Sequence, residues 1–214
     1  MMRSERVRVL LVDDHAIARN GVRLMLDTAG DIDVAGEAAD ASQALELLRH
    51  QAFDVALVDI TMPGMNGLDL LRHLRSLHPA MSVLVLSTYS EEIYAVRALK
   101  QGAAGYLTKD APTAVLIEAV RRAVAGRKYV SPSLVDKLAS LVSGDSAASG
   151  HDALSNRELE VFKLIAKGEP LVQIGERLHL SPNTVTTYRS RILEKMGMSS
   201  NAELTRYALE QGLI

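Results

Sequence analysis

The 214-residue chain has no cysteine, which excludes disulfides and thiolate metal sites and fits a reducing cytoplasm. No apolar run approaches the ~18 residues that a membrane span needs, so no membrane partner is expected. The first segment, MMRSERVRVLLVDD, passes from charges through a short apolar run into two acids, unlike a secretory leader. Positive charge is not in excess either. The net charge is −2, so no global basic field advertises nucleic acid. Residues 152–214 carry eight basic and eight acidic side chains, and residues 1–151 carry sixteen and eighteen. Any DNA-binding charge must therefore be local. Neither G-x-G-x-x-G nor a GK[ST] loop occurs, so the usual cradles for nucleotide phosphates are missing. The six histidines show no metal-ligand spacing, and His15 reads as a helix-start residue beside two acids.

What is present is enough apolar sequence, 48%, for real cores. Short apolar runs alternate with longer helical patterns over the first ~125 residues, the signature of βαβ units and a parallel sheet. Strands are predicted at Val7–Val12, Asp33–Ala38, Val55–Val58, Ser82–Leu86 and Ala104–Leu107. Helices are predicted at Ala16–Thr28, Ser42–Arg49, Leu68–Leu77, Glu91–Lys100 and Ala114–Ala125. The runs VRVLLV and VLVL do not alternate polar with apolar, as expected of strands covered on both faces. Together they predict a five-stranded, doubly wound parallel α/β domain over residues 5–126. A linker over 127–152 follows, with a short helix at Ser131–Val142 and a Gly/Ser-rich stretch at Ser143–Asp152. Residues 153–214 read as a small all-α module. SNRE and SNAE are capping boxes at Ser155 and Ser200, and SPNTV opens a helix running to Met196. Helices joined by the tight HLSP predict a helix-turn-helix.

In doubly wound sheets ligands sit beyond the carboxyl ends of the strands. Strand one ends in Asp13 and Asp14, strand three in Asp59, strand four in Ser87 and Thr88, and strand five is followed by Lys109. Three carboxylates sharing a site repel and need a compensating cation, which suits Mg²⁺. A carboxylate held beside such an ion can attack phosphorus to give an acyl phosphate. Lys109 can neutralise a phosphoryl oxygen and a hydroxyl can bond another.

The stretches VLLVDDH, VALVDITMPGMNGLDLL, VLVLSTYS and GAAGYLTKD, in this order and spacing, resemble the receiver domain of two-component response regulators. That resemblance implies a flavodoxin-like fold, with Asp59 as phosphoacceptor for the phosphohistidine of a sensor kinase. It implies Mg²⁺ held by Asp14, Asp59 and the Thr61 carbonyl, with Asp13 nearby or acting through water. Ser87 takes the place of the switch hydroxyl, Tyr106 that of the switch aromatic, and Lys109 that of the phosphoryl-binding lysine. Thr88 adjoins Ser87, and the residues alone leave open which hydroxyl faces the pocket. They also leave Tyr106 open to being an ordinary strand aromatic.

Farther on, LSNRELEVFKLIAKG, IGERLHLSPNTVTTYRSRILEKMGM and NAEL resemble the LuxR/NarL/FixJ-type DNA-binding domain. The whole chain is thus similar to a NarL/FixJ-type response regulator, which implies a non-enzymatic transcription regulator that binds an inverted repeat as an active dimer. The contrasting reading, an aspartyl-phosphate phosphatase or phosphotransferase, would want a second acid just after the nucleophile, where Thr61 stands. Pro170-Leu171-Val172-Gln173 departs from the Ser-Asn-Lys-Glu common in the family, Gly175 replaces a usual alanine, and Thr186 and Tyr188 replace frequent Lys and His. A helical wheel on Pro182–Met196 gathers Val185, Tyr188, Ile192 and Met196 on the packed face. Asn183, Thr186, Thr187 and Ser190 lie opposite, for base edges, with Arg191 and Lys195 for phosphates. Arg189 falls nearer the packed side.

Overall fold

The computed structural model describes residues 6–88, 91–132, 134–136, 138 and 150–214, with the backbone alone for 91–93. The continuous apolar runs form the strands β1 (Val7–Val12), β2 (Ile32–Ala38), β3 (Val55–Asp59), β4 (Ser82–Ser87) and β5 (Gly105–Thr108). They make one parallel sheet in the order β2-β1-β3-β4-β5. Central β3 is buried at every position, as a strand covered on both faces must be. Between the strands lie α1 (Ala16–Asp27), α2 (Ala41–His50), α3 (Gly67–Leu77) and α4 (Glu91–Lys100), with α5 (Thr113–Val124) after β5. Val9, Leu11, Leu57, Leu84 and Leu107 point to one face and meet Val22 and Leu26 of α1 and Leu116 and Val120 of α5. The alternate residues Leu10, Ala56, Val58, Val83 and Val85 are equally buried on the other.

Three of the strands run one residue past their predicted ends, β3 and β4 finishing on Asp59 and Ser87 themselves and β5 on Thr108. Asp59 is paired in register with Leu86. The free edge of β5 is closed by the chain after α5. Tyr129 N–H donates to the Ala104 carbonyl at 2.7 Å, and a β-carbon at Gly105 would lie 2.7 Å from the Tyr129 carbonyl. Covering an edge in this way denies it to other chains. The predicted helix from Ser131 does begin there, with Leu134 N–H on Ser131 Oγ at 3.3 Å. The linker stretch 143–149 lies outside the described residues.

Contacts divide the chain at residues 139 and 140 into two compact units. The second opens with a 3₁₀ turn, Gly150–Ala153, followed by α6 (Asn156–Ala166), α7 (Leu171–Leu178), α8 (Pro182–Met196) and α9 (Asn201–Glu210). Its core is built on α6, buried on nearly every side and carrying Leu159, Val161, Phe162 and Ile165. Ser155 and Glu158 form the reciprocal capping box. At Ser200 only half the predicted box is made: its hydroxyl accepts from Glu203 N–H, but the Glu203 carboxylate accepts from Ser199 N–H at 2.9 Å. Between α7 and α8 the turn passes through His179 in the left-handed region, φ 53°. Gly175 is not merely a weak helix former. A β-carbon there would sit 2.8 Å from the Leu180 carbonyl, so its bareness lets the turn close.

Candidate functional site

The sheet order reverses between β1 and β3, and a crevice opens there beyond the strand ends. The ladder carries on past the strands to fix the side chains that border it. Asp13 N–H donates to the Ala38 carbonyl at 3.1 Å, and Lys109 N–H to the Ser87 carbonyl at 2.8 Å. Lys109 Nζ reaches across to both acids, 2.6 Å from Asp13 Oδ2 and 2.9 Å from Asp59 Oδ2. Asp13, Asp59, Ser87 and Tyr106 are buried, Asp14 is partly exposed, and Thr88 is exposed. Of the two adjacent hydroxyls, Ser87 is enclosed and Thr88 is open to solvent.

The loop after β3 is shaped by close approach. A β-carbon at Gly67 would fall 1.8 Å from the Asp59 carbonyl oxygen, so α3 can start there only on glycine. Asn66, itself buried, caps that helix by accepting from Asp69 N–H at 2.9 Å, and Gly64 takes φ 75°. Proline, glycine and asparagine in PGMNG hold the backbone against the strand end that carries Asp59.

Three carboxylates against one ammonium leave the crevice with two net negative charges. Burial pushes the Asp59 carboxyl up to about 6; Lys109 opposes the shift, Asp13 adds to it, and the Thr61 N–H lowers it. Lys109 is itself disfavoured by burial, but Asp59 and Asp13 outweigh this and raise it. Asp13 Oδ2 and Asp14 Oδ1 are buried with no aligned hydrogen-bond donor. Lys109 Nζ, 2.6 Å from Asp13 Oδ2, still compensates its charge. Unsaturated, crowded carboxylate oxygens carrying a −2 excess fit a hard divalent cation. Donor atoms of Asp13, Asp14, Asp59 and also His15 lie within 4.8 Å of one another. His15 was not legible as part of this group. Nor was Arg19, whose Nη1 bonds the Asp13 carbonyl at 2.5 Å while its Nε holds Glu37 at 3.2 Å.

In the second unit Asn183, Thr186, Thr187, Ser190 and Arg191 of α8 are all exposed. Val185 and Ile192 are buried beneath them. Tyr188 is half-buried rather than fully packed. With Asn183, Thr184, Thr187 and Arg191 it lines a depression of about 370 Å³. Arg189 is tied to Asn201 Oδ1 at 2.6 Å, in keeping with its place toward the packed side. Lys195 is bound to the buried Glu158 at 2.6 Å, so its ammonium already has an anion.

Residues 9–121 match the response regulator receiver domain, and residues 152–208 match the luxR family of bacterial regulatory proteins. The chain is a two-component response regulator with a LuxR-type DNA-binding domain. It is 38% identical to the response regulator GacA of Pseudomonas protegens over 208 residues, covering 97% of this chain and 98% of GacA. To UvrY of Escherichia coli it is 35% identical, with 97% and 95% covered. Among solved structures, the response regulator ChrA of a heme-sensing two-component system is 34% identical, with TM-score 0.53 over 98% of this chain and 99% of ChrA. RcsB of Salmonella typhimurium shares the fold at 23% identity and TM-score 0.70, with 97% and 98% covered. This family comprises DNA-binding regulators rather than enzymes. Among the described residues no helix is long and apolar enough to cross a membrane.

Proposed function

We propose that Asp59 accepts a phosphoryl group from the phosphohistidine of a sensor kinase, and that this switches DNA binding by the second unit. The observation that carries the reading is the bridge of Lys109 between two buried acids at the switch point of the sheet. An Asp59 carboxylate oxygen would form the new P–O bond as the P–N bond of the donor breaks, and the imidazole leaves with a proton. Mg²⁺, bound by Asp14, Asp59 and the Thr61 carbonyl with Asp13 close by, would supply positive charge to the phosphoryl oxygens and keep Asp59 ionised. Lys109 would turn from Asp13 and Asp59 to a phosphoryl oxygen, and the buried Ser87 hydroxyl would bond another. Tyr106, buried on neighbouring β5, would repack with Ser87. A phosphoryl group adds roughly two negative charges, enough to bias a two-state element.

Helix α8 would enter the major groove. The hydroxyls of Thr186, Thr187 and Ser190 donate to the carbonyls of Pro182, Asn183 and Thr186 at 3.0, 2.9 and 3.2 Å. Their protons are spent, so they would meet DNA as acceptors, suited to the amino groups of adenine or cytosine. Asn183 would read a base edge. Arg191 would hold a phosphate, and Lys195 a weaker one, since it must leave Glu158. One such helix reads a half-site, so an inverted repeat calls for a homodimer. This reading places the protein in the cytoplasm with its DNA.

Incubation with acetyl phosphate and Mg²⁺ should add the mass of one phosphate, base-labile and absent from Asp59→Asn or in chelator. Undiminished modification of Asp59→Asn would defeat the assignment. Phosphorylated full-length protein should occupy both halves of an inverted repeat cooperatively, with affinity falling as salt rises.

A further inference from the structure

We propose that His15 is a metal ligand of the acidic pocket, and that its imidazole turns the site toward first-row transition dications over Mg²⁺. The inference rests on the reading of the pocket as a cation site. His15 Nδ1 stands 2.7 Å from Asp14 Oδ1 and 3.7 Å from Asp13 Oδ1. Ligands of an octahedral ion at ~2.1 Å are ~3.0 Å apart when adjacent and ~4.2 Å when opposite. The four donors of Asp13, Asp14, His15 and Asp59, all within 4.8 Å, therefore span little more than one coordination sphere.

The backbone aims the ring. His15 precedes α1 as its N-cap, in extended conformation (φ −87°, ψ 101°), yet its side chain caps nothing. Its N–H is fixed on Asp13 Oδ1 at 2.8 Å, which turns the residue back toward the acids. The imidazole is 66% exposed, so packing does not force it there. Its short approach to Asp14 is also not a hydrogen bond. Asp14 Oδ1 is buried without an aligned donor, as is Asp13 Oδ2. Donor atoms that converge without saturating one another are what a shared cation completes. Carboxylates and carbonyls suit Mg²⁺, whereas imidazole adds most for ions such as Co²⁺ and Ni²⁺. His15 thus affects the softer ions far more than Mg²⁺.

The full-length protein is titrated calorimetrically with Mg²⁺, Co²⁺ and Ni²⁺, alongside His15→Gln and Asp14→Asn. In parallel, electron spin-echo spectra of bound Mn²⁺ are recorded. Wild type should show ¹⁴N modulation, lost in His15→Gln. Co²⁺ and Ni²⁺ should bind His15→Gln at least about tenfold more weakly, the loss that removing a mere neighbour of a ligand already brings. Mg²⁺ affinity should move by no more than about twofold. No other nitrogen should restore the modulation in His15→Gln, since the other five histidines lie outside the cluster. Bound Mn²⁺ without ¹⁴N modulation in the wild type overturns the proposal with no variant needed, as do equal losses for all three metals in His15→Gln. If Asp14→Asn abolishes binding while His15→Gln changes nothing, the pocket stands and the His15 role falls. If Asp14→Asn binds every ion like wild type, both fall together.

Discussion

In the receiver unit the buried acids Asp13 and Asp59 face a crevice, with Lys109 drawn between them. In the second unit the buried acids Glu158 and Glu160 are paired off with Lys195 and Arg157, at 2.6 and 2.7 Å. Arg157 also reaches the Leu178 carbonyl at 2.6 Å, tying α6 to the end of α7. One unit leaves buried charge incompletely bonded and so ready for a ligand. The other uses charge to lock helices, and the face of α8 proposed for DNA is made mainly of uncharged groups with Arg191. Buried charge marks a reactive site only where its partners are too few or misaligned.

Backbone approach offers the largest test of this contrast. Two glycines pressed on a carbonyl, one from each unit, make the comparison: Gly67 at 1.8 Å and Gly175 at 2.8 Å for an added β-carbon. Gly67→Ala should cost about 3 kcal/mol or more, since neither contacting backbone can yield without moving Asp59. It should also weaken Mg²⁺ binding. Gly175→Ala should cost less, because alanine recovers up to about 1 kcal/mol of helix propensity. Urea unfolding of the two full-length variants gives the order. If Gly175→Ala proves the worse, the pocket loop is more pliant than its geometry implies.

Burial also predicts pH slopes of opposite sign. Asp59, raised to about 6, holds its proton more tightly folded than unfolded. In metal-free buffer, stability should therefore fall as pH rises from the ordinary carboxylate range through 6. The loss is on the order of 3 kcal/mol, and Mg²⁺ should restore it. Lys163 is buried in α6, and burial, with Lys167 adding to it, lowers its ammonium to about 8. The folded state sheds this proton first, so stability should rise between about pH 8 and the usual lysine range, by a similar amount. Asp59→Asn and Lys163→Met should each flatten its own slope in denaturation measured across pH. A slope that survives its substitution assigns it to another group.

A smaller effect separates base reading from phosphate anchoring. Thr187→Ala should alter preference at one or two operator positions, by about 1 kcal/mol. Arg191→Ala should weaken all sequences alike and reduce the salt slope by about 1. Selection from randomised operators, repeated at several salt concentrations, distinguishes them. Should Thr187→Ala leave the profile unchanged while Arg189→Ala reshapes it, the groove-facing side is wrongly chosen. Arg189 would then have to leave Asn201 to reach the bases.

Strand positions, domain sequence and the strand-end acids were legible because each follows from local pattern: an apolar run, then a polar residue at its end. The αα unit was legible through Ser155 and Ser181, whose caps lie within three residues of the groups they satisfy. Long-range geometry was not. Nothing in spacing tells that Lys195 spends its charge on Glu158, thirty-seven residues earlier. Gly67 looked like turn punctuation, and its contact with the Asp59 carbonyl exists only once strand and helix are packed. Spacing between histidines does not reveal His15, whose ring nitrogen lies within 4.8 Å of carboxylates that follow β1 and end β3.

The smallest expected effect lies at His179, between α7 and α8, and it sharpens the contrast from the side of the second unit. The residue sits at φ 53°, ψ 44°, with its N–H on the Glu176 carbonyl at 3.3 Å. A β-carbon in that region crowds the following carbonyl and costs roughly 1 kcal/mol, which asparagine tolerates better and glycine avoids. His179→Asn should stabilise the second unit by about 0.5 kcal/mol, and its melting temperature by about 2–4 °C. His179→Gly should gain a similar amount, because relief of strain is partly cancelled by the freedom glycine has when unfolded. Neither should change Mg²⁺ binding or acceptance of phosphate from acetyl phosphate, since the site proposed for both lies in the receiver unit. Calorimetric melting with a phosphorylation assay on the same samples decides it. A His179→Gly variant that melts lower than wild type would mean that the imidazole makes up for its strained backbone in the turn.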